Sequence, residues 1–458
     1  MSTVAASETL GRRPLRRRLP AQGRPAVVKV LGALAGLGLG ITLALGISAE
    51  SAGSLHAPGG VATAAGRLAG LAAAYAMVVV VVLVARFGPL ERAIGQDRLV
   101  RWHRRLGPWP LYLLVLHGTL ITVGYARAAN DGVLHQFGQL LTTYAGVLAA
   151  TVGGVLLIAA GVTSYRLARR RMAYETWWSV HLYTYLALFL SFSHQVDTGA
   201  SFVGHPTARA WWTALWVGTL ALVLASRVGL PIWRSLRHRL TVVGVTPEGP
   251  DSYSVLLRGR RLDRLPVAGG QFLQWRFLRR GLWWQAHPYS LSAAPTGRHL
   301  RITVKDLGDH SAALRRLRPG TGVAIEGPYG SFTADTRHSD RVLLVGAGVG
   351  ITPIRALLEE LPEGADVVVA LRGSTRDDLV LRDEIADHVR HRRGRLHELV
   401  GPRERVRLDA ATLTALVPDI AERDVYLCGP EPFQDLVVTA ATEAGVPASH
   451  LHHESFSL

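Results

Sequence analysis

Six long apolar segments in the first half of the chain constrain its fold more than any other feature. Each is long enough to cross about 30 Å of hydrocarbon as a helix. They lie at about residues 26–48, 61–85, 104–126, 138–164, 175–196 and 209–231. Nearly all long apolar runs of the 458-residue chain precede residue 231, although hydrophobic residues make up 48% of the whole. The sequence therefore predicts a six-helix transmembrane bundle joined to a soluble half.

The basic residues predict how these spans are oriented. They bunch beside apolar spans, whereas the loops at 49–60, 127–137 and 197–208 hold few. The clusters are Arg12–Arg18, Arg86–Arg105, Arg166–Arg171 and Arg234–Arg239. Under the positive-inside rule, this predicts a multi-pass protein of the cell membrane with both termini, including a basic tail over 1–25, in the cytoplasm. These clusters beside membrane spans account for the formal net charge of +17. The predicted partner of the basic residues is therefore the lipid bilayer, and no nucleic-acid partner is predicted.

Two predicted spans each contribute a pair of histidines. His103 and His117 belong to the third span, and His181 and His194 to the fifth. Because both spans run from the cytoplasm outward, His103 and His181 share an inner level and His117 and His194 an outer one. Each level then offers one imidazole per helix, as bis-histidine ligation of a b-type haem requires. The alternative is a set of buried, hydrogen-bonded histidines.

The spacing of the second pair, His181 and His194, matches the turns of an ideal helix less well than that of the first pair. Fourteen residues separate His103 from His117, but thirteen separate His181 from His194. On an ideal helix, thirteen residues leave the second side chain about 140° from the face of the first. His194 therefore needs either an irregular helix or a different approach of its ring.

After residue 238 the pattern becomes that of a soluble protein. Short apolar alternations at Thr241–Val245, Tyr253–Leu257 and Leu300–Val304 predict an antiparallel β domain over 238–335. Strands then alternate with helices over 341–458, which predicts a parallel α/β domain. Its predicted elements are Val342–Val345, Ile354–Leu361, Val367–Leu371, Leu379–His388, Val425–Leu427 and Phe433–Ala444. The single cysteine, Cys428, excludes an internal disulfide and an all-cysteine iron–sulfur cluster within one chain.

Two motifs in the β domain suit a flavin. The first runs His287, Pro288, Tyr289, Ser290, Leu291, Ser292. Its tyrosine can stack on a flavin and its first serine can reach the reactive nitrogen, although a turn leading into an edge strand is the plainer alternative. In the second motif, Lys305 and Gly308 precede a helix predicted to open at Ser311, whose amides suit a pyrophosphate.

The α/β domain carries glycine and arginine motifs that suit a nicotinamide nucleotide. Between a strand and a helix lie Gly346, Gly348, Gly350, Thr352 and Pro353, a G-x-G-x-G pattern that lets phosphates approach the backbone. Cys428, Gly429 and Pro430 end a later strand. Arg372, Ser374 and Arg376 follow the second strand and suit a 2′-phosphate, which favours NADPH while NADH remains possible. The alternative is a solvated loop in which Arg376 pairs with Asp377 and Asp378.

The order of these motifs, from residue 61 onward, resembles that of the ferric reductase/NADPH oxidase superfamily, and the soluble half is similar to ferredoxin–NADP reductases. The resemblance implies an antiparallel β-barrel that holds FAD through Tyr289 and Ser290, and an α/β domain that binds NAD(P)H through the glycine loop. It also implies that Cys428 lies near the nicotinamide and that Phe456 covers the flavin. Ser290, Cys428 and Phe456 would then surround the reacting centre.

The implied function is electron transfer from cytoplasmic NAD(P)H through FAD and two b-type haems to an outer acceptor. Short exterior loops favour a small acceptor, foremost ferric chelates; dioxygen, reduced to superoxide, and a partner redox protein are the alternatives. Ile121 stands where oxidases of this superfamily often carry a further histidine, which disfavours the oxidase.

Arg67 is predicted either to bind a propionate or an anionic acceptor, or to reach the interface. His56, His135 and His205 are interpreted as solvated loop residues, and the oligomeric state stays open.

Overall fold

The structure is a computed structural model that describes residues 25–165, 172 and 174–454. Phe456, the tail before residue 25 and the basic cluster at 166–171 lie outside the described residues. The chain divides into two compact units, one ending at Leu230 and the other beginning at Pro231. Each unit is described separately below.

The first unit is helical throughout. Its helices are α1 Pro25–Ser48, α2 Ala52–His56, α3 Gly60–Leu83, α4 Gly88–Ile94, α5 Gln96–Leu106, α6 Pro108–Ala129, α7 Val133–Thr143, α8 Val147–Ser164, α9 Tyr174–Thr198 and α10 Pro206–Leu224. A π-helical stretch, Ala225–Gly229, follows α10 and precedes α11, Leu230–His238.

Five helical stretches among the described residues are long and apolar enough to cross a membrane, one fewer than predicted. They are Ala26–Ser48, Gly60–Leu83, Arg98–Ala129, Val147–Ser164 and Pro206–His238. The predicted span at 175–196 forms α9, which has 25 residues and is long enough, but polar side chains such as His181, His194 and Gln195 lower its hydropathy. A sixth membrane crossing therefore stays a prediction.

Two predicted spans are interrupted. The third breaks between α5 and α6, because Pro108 lacks the amide proton that a continuous helix needs. His103 thus lies on α5 and His117 on α6, but Gly107 between these helices keeps helical φ and ψ values of −53° and −35°, and Arg98–Ala129 still forms one membrane-long stretch. The fourth predicted span, 138–164, is divided between α7, which ends at Thr143, and α8, whose N-cap is Gly146 with a φ of +76°.

Small residues allow close helix packing in this unit. A Cβ atom at Gly66 of α3 would lie 3.0 Å from the amide of Ile121 in α6, and one at Gly153 of α8 would lie 2.7 Å from the carbonyl oxygen of Ala187 in α9. Close backbone approach at small residues is typical of helix packing in membranes. The result is two tightly packed pairs, α3 with α6 and α8 with α9. Apolar side chains such as Phe189 remain exposed on the outside of the unit.

The second unit begins with an antiparallel sheet of six strands. Its strands are β1 Leu240–Pro247, β2 Ser252–Arg258, β3 Phe272–Phe277, β4 His287–Ser290, β5 His299–Lys305 and β6 Gly322–Tyr329, with the short helix α12, Asp309–Leu314, between the last two. The order across the sheet is β4-β3-β6-β1-β2-β5. An isolated bridge joins Leu291, directly after β4, to Ile302 in β5 at the opposite edge. The antiparallel domain agrees with the prediction; its closure into a barrel stays a prediction.

A parallel sheet of five strands completes the second unit, in the order β11-β10-β7-β8-β9. Its elements are β7 Arg341–Ala347, α13 Ile351–Glu360, β8 Asp366–Gly373, α14 Arg382–His391, β9 Arg395–Val400, α15 Ala410–Leu416, β10 Asp424–Cys428, α16 Glu431–Glu443 and β11 Leu451–Glu454. All six elements predicted here are present. The sequence missed β9, α15 and β11, because the two strands are short, polar edges and the helix has only two turns.

Candidate functional site

The inner histidine pair is brought together by two separate helices. The ring centres of His103, on α5, and His181, on α9, lie 6.1 Å apart with an angle of 78° between the rings. Two imidazoles that ligate one metal from opposite sides have ring centres roughly 6 Å apart, because each metal–nitrogen bond is about 2 Å long and the ring centre lies about 1 Å beyond the nitrogen. The observed separation therefore fits a pair of axial ligands.

Three of the four histidines direct Nδ1 at a backbone carbonyl oxygen. The contacts are His103 to Val80 at 3.1 Å, His117 to Gly66 at 2.7 Å and His194 to Ser191 at 2.6 Å. A carbonyl oxygen can only accept, so Nδ1 carries the proton and donates it, which leaves Nε2 with a lone pair. This is the arrangement in which metal-ligating histidines are held in proteins.

The fourth histidine, His181, reaches the same state through a side chain. Its Nδ1 lies 3.4 Å from Oγ of Ser164. That hydroxyl donates its only proton to the carbonyl oxygen of Ala160, at 2.6 Å, and accepts from Nε1 of Trp177, at 3.1 Å. It can therefore only accept from His181. The indole of Trp177 also stacks on the imidazole, with ring centres 5.3 Å apart.

The Nε2 atoms of these histidines have no hydrogen-bond partner among the described residues. All four are therefore available to a metal. The thirteen-residue spacing of His194 is not relieved by a helix break, since α9 is uninterrupted from Tyr174 to Thr198. Instead the ring of His194 folds back onto its own helix, where it donates to Ser191.

Arg67 on α3 is paired with an acidic residue that sequence reasoning missed. Its Nη1 lies 2.8 Å from Oε1 of Glu50, a side chain only 9% exposed. Ser54 donates to the other oxygen of Glu50 at 3.3 Å. Arg67 is therefore not an isolated charge, and its two predicted roles stay predictions. The single acidic residue in an otherwise neutral predicted loop, 49–60, was the available signal.

The three histidines of the predicted exterior loops, His56, His135 and His205, have local partners or lie apart. His135 pairs with Asp131, and His56 contacts the carbonyl oxygen of Ala52. His205 directly precedes α10. No group of three metal-binding side chains in the described parts of the chain includes any of these three histidines.

In the predicted flavin motif, Ser290 ends β4 in a buried position. Its Oγ has no hydrogen-bond partner among the residues described, although the residue is only 4% exposed. An unsatisfied buried hydroxyl is costly, by about 1–3 kcal/mol, so this atom is well suited to contact a bound ligand. Leu291 packs into the core, and Ser292 accepts from Nε of Arg301 at 3.2 Å. The motif thus contains one available hydroxyl, not two.

Tyr289 is held next to a histidine that the sequence did not single out. Its hydroxyl lies 3.4 Å from Nδ1 of His310, and its carbonyl oxygen accepts from Nε1 of Trp275 at 2.8 Å. Burial raises the pKa of Tyr289, which therefore stays a neutral hydrogen-bonding group. Burial, and then the neighbouring His287, lower the pKa of His310 to about 4. The ring centres of His287 and His310 lie 3.6 Å apart.

The hydroxyl of Ser311 is held by its own loop. It accepts from the amides of Leu307, at 2.8 Å, and Gly308, at 3.0 Å. Helix α12 begins at Asp309, two residues before the predicted start, and Lys305 ends β5. Ser311 therefore shapes this loop, and a pyrophosphate at the amides that begin the helix stays a prediction.

The glycine loop joins the carboxyl end of β7 to α13. Gly346 ends in the sheet, and Gly348 adopts a φ of +56° in a short turn. A Cβ atom at Gly350 would collide with the carbonyl oxygen of Cys428, so glycine is needed where these two strand ends meet. Thr352 donates to the carbonyl oxygen of Val349 at 2.8 Å. The carboxyl edge of a parallel sheet is where nucleotides bind in such folds.

Cys428 is fully buried at the end of β10. Its Sγ lies 3.7 Å from the carbonyl oxygen of Glu454, and burial followed by the charge of Glu454 raises the pKa of the thiol. Gln434 donates to that same carbonyl oxygen and to the one of Gly429, at 2.7 Å each. Pro430 immediately precedes α16. The thiol is therefore protonated and unreactive at neutral pH.

The two arginines predicted to read a 2′-phosphate differ in their surroundings. Arg372 is buried and donates to the carbonyl oxygens of Gly373, Leu399 and Gly401. Arg376 is exposed over 67% of its side chain and lies 3.8 Å from Glu398, not beside Asp377 and Asp378 as the alternative expected. Ser374 is exposed next to it. Recognition of a 2′-phosphate would therefore depend on Arg376 and Ser374.

Three family descriptions match the chain, in the order that the motifs predict. Residues 69–192 match "Ferric reductase like transmembrane component", residues 250–333 match "FAD-binding domain", and residues 344–439 match "Oxidoreductase NAD-binding domain". The chain has the domain architecture of the ferric reductase/NADPH oxidase superfamily. Its domains are those of an NAD(P)H-dependent oxidoreductase, and the match with its apolar helices indicates a membrane protein. The ferric reductase match includes His103, His117 and His181 and ends before His194.

Curated relatives of this ferric reductase-like chain are also oxidoreductases. It is 28% identical over 240 residues to an NADPH oxidoreductase of Mycobacterium tuberculosis, covering 50% of this chain and 62% of that protein. It is 32% identical over 233 residues to the ferredoxin reductase component of 3-ketosteroid-9-alpha-monooxygenase of Mycolicibacterium smegmatis, covering 47% and 65%. The matched region thus spans less than two thirds of either relative.

A solved structure with a similar region is the flavohem-like FAD/NAD binding domain of nitric oxide dioxygenase from Vibrio cholerae O1 biovar El Tor. The identity is 26%, the match covers 48% of this chain and 98% of that domain, and the TM-score is 0.42.

Proposed function

We propose that this chain is a membrane oxidoreductase that carries electrons from cytoplasmic NAD(P)H, through FAD and two b-type haems, to a small acceptor on the outer side, foremost a ferric chelate. In this proposal residues 26–231 hold the haems, 238–335 the FAD and 341–458 the nucleotide, and both termini are cytoplasmic. The observation that carries it is the state of the four histidines: each Nδ1 contacts a hydrogen-bond acceptor, and each Nε2 is available.

The histidines would hold the haems in two pairs. His103 and His181 would ligate the inner one, supported by the 6.1 Å between their ring centres, and His117 and His194 the outer one. The acceptors at Nδ1 would fix each ring and make its Nε2 more basic. Bound haem and FAD would supply the electron chemistry, with FAD accepting a hydride and haem carrying single electrons.

The flavin would be held by the motif at the end of β4. The unsatisfied hydroxyl of Ser290 would contact the flavin, and neutral Tyr289 would offer its ring and hydroxyl. His310, neutral above about pH 4, would keep the hydroxyl of Tyr289 in place without adding charge. By the superfamily resemblance, Phe456 would cover the ring.

The nucleotide would bind at the carboxyl edge of the parallel sheet. Gly346, Gly348 and Gly350 leave the backbone there open to phosphates, and Thr352 and Pro353 begin the helix behind them. Arg376 and Ser374 would bind the 2′-phosphate, which favours NADPH over NADH. Buried Cys428 and the adjacent Gly429 and Pro430 would form an uncharged wall beside the nicotinamide.

The choice of acceptor rests on the outer half of the membrane unit. Ile121 stands one turn beyond His117, where a proton-carrying histidine would favour dioxygen chemistry. Arg67 is neutralised by Glu50, so this region presents a balanced pair in place of a lone cation. By the superfamily resemblance, Ile121 disfavours an oxidase, so a ferric chelate is the acceptor that we propose first.

The test uses the full-length protein purified in detergent with haem and FAD bound. After anaerobic addition of NADPH, the reduced haem absorption bands should appear, and a ferric chelate should then reoxidise them within the turnover time. Superoxide should form more slowly under air. Failure of NADPH to reduce the haems would contradict the proposed path. Reduced haems that neither ferric chelate nor dioxygen reoxidises would instead support delivery to a partner redox protein.

A further inference from the structure

Three histidines surround one aspartate at the amino edge of the parallel sheet. Asp424 is the first residue of β10, His338 precedes β7, and His450 and His452 lie at the start of β11. These strands are parallel neighbours, so their amino ends lie side by side. The glycine loop is at the opposite, carboxyl edge, about 15 Å away along strands that rise about 3.3 Å per residue. The cluster is therefore separate from the proposed nucleotide site.

The distances within the cluster fit a metal site. From Oδ1 of Asp424, Nε2 of His452 lies at 2.8 Å, Nδ1 of His338 at 3.3 Å and Nδ1 of His450 at 4.0 Å. One ligand atom each from Asp424, His338 and His452 lies within 4.8 Å of the others. Ligands about 2.1 Å from a tetrahedral zinc ion are about 3.4 Å from one another, in the middle of the observed range.

The aspartate is prepared to act as an ionised ligand. Its side chain is fully buried, and its Oδ2 accepts from the amides of His338, at 2.7 Å, and Ser339, at 2.5 Å. With Oδ2 occupied by the backbone, Oδ1 is the atom that faces the three imidazoles.

The cluster contains more imidazoles than are needed to satisfy the hydrogen bonds of the Asp424 carboxylate. His452 and the two amides already satisfy Asp424, yet His450 also directs Nδ1 toward it, and this buried atom has no hydrogen-bond partner among the described residues. The rings of His338 and His450 are stacked with centres 5.0 Å apart, and Tyr426 stacks on His452 at 4.3 Å. A pre-positioned nitrogen without a partner points to a ligand that is not a protein atom.

We propose that His338, Asp424, His450 and His452 bind one Zn²⁺ ion that fastens the last strand, β11, to the rest of the sheet. Three imidazoles with one carboxylate suit zinc, whereas Mg²⁺ prefers oxygen ligands. β11 is a four-residue strand whose only neighbouring strand among the described residues is β10. The ion would link two residues of this strand to β10 and to the turn before β7, and so stabilise the carboxyl-terminal end of the described chain.

The test measures zinc in the full-length protein with its cofactors bound. After chelator treatment and dialysis against low-micromolar Zn²⁺, elemental analysis should find one more zinc per chain in the wild type than in the double variant His338→Ala/His452→Ala. His450→Ala should bind this zinc at least about 100-fold more weakly, since even outer-shell changes cost about 10- to 100-fold. Zn²⁺ should raise the Tm of the wild type and Mg²⁺ should not.

His453→Ala is the matched control, because this residue neighbours His452 on β11 but its side chain leaves the strand on the opposite face. It should retain the additional zinc and the rise in Tm. Equal zinc content in the wild type and the double variant would overturn the proposal, as would wild-type protein that takes up no zinc at these sites.

Discussion

Nδ1 of His181 lies 3.4 Å from Oγ of Ser164, a hydroxyl whose own proton is given to the carbonyl oxygen of Ala160. This relationship assigns the proton of the imidazole to Nδ1 and leaves Nε2 with a lone pair. It is also the only one of the four supporting contacts that a side chain makes. A substitution can therefore remove it without disturbing the backbone.

Replacing this serine tests whether the hydrogen bond tunes a haem. In Ser164→Ala, His181 loses its acceptor and becomes a less basic ligand, so haem affinity at the inner site should fall roughly 10- to 100-fold. The midpoint potential of one haem, measured by redox titration of its absorption band, should rise. Thr163→Ala is the control, because its hydroxyl contacts only carbonyl oxygens of its own helix. Two unchanged potentials in Ser164→Ala would argue against this role.

The unsatisfied hydroxyl of Ser290 gives a second prediction. Ser290→Ala removes no hydrogen bond within the described protein, so the variant should fold normally. If the hydroxyl contacts the flavin, the rate of flavin reduction by NADPH, measured by stopped flow, should fall about 10- to 100-fold, the equivalent of one strong hydrogen bond. Ser254→Ala is a useful comparison, because its hydroxyl pairs with Thr303 and should affect stability alone. An unchanged rate of flavin reduction in Ser290→Ala would show that this hydroxyl does not contact the flavin.

Substitution of the two arginines after β8, Arg372 and Arg376, should have different effects. Arg376→Ala should raise the KM for NADPH about tenfold and leave the KM for NADH unchanged, because only a 2′-phosphate would contact this exposed guanidinium. Arg372→Ala should instead lower the Tm, since it removes three hydrogen bonds to backbone carbonyl oxygens. The KM values for NADPH and NADH are measured by steady-state kinetics. An equal effect of Arg376→Ala on both would show that it does not read the 2′-phosphate.

Glu360 at the end of α13 makes stability depend on pH. Burial, opposed by a hydrogen bond from the amide of Gly269 and aided by Asp335 and Glu359, raises the pKa of Glu360 to about 7. Its folded pKa exceeds the value in the unfolded chain, so its contribution to stability is fully present below about pH 4.5 and is lost as the pH rises through 7.

Glu360→Gln, which cannot ionise, should therefore have a higher Tm than the wild type at pH 8 and a similar one at pH 5. The exposed neighbour Glu363 offers a control in Glu363→Gln, for which the difference between the two pH values should match the wild type. A Glu360→Gln variant with no advantage at pH 8 would contradict the raised pKa.

Local patterns explain what the sequence predicted well. Apolar length, alternation and the glycine loop before α13 depend on neighbouring residues, so the helical first half and the elements of the two soluble domains could be assigned. The four histidines were found because polar side chains are rare in apolar helices. The third predicted span, 104–126, lies within one such stretch, Arg98–Ala129.

Contacts between distant segments explain what was missed. The partnership of Ser164 with His181, of Glu50 with Arg67 and of Glu454 with Cys428 depends on how separate elements pack, which no local pattern encodes. The strands β9 and β11 lacked an apolar alternation because edge strands are only partly buried. The burial of Arg372 likewise became visible only once the loop at 399–401 was placed beside β8.

The number of haems bound per chain tests the central claim most directly. Haem iron measured against protein concentration should give two per chain for the wild type and for His135→Ala, a control whose histidine pairs with Asp131 outside the proposed sites. His103→Ala and His117→Ala should each retain one haem, lost from the inner and the outer pair respectively. Two haems per chain in His117→Ala would contradict the ligand assignment on which the proposed electron path depends.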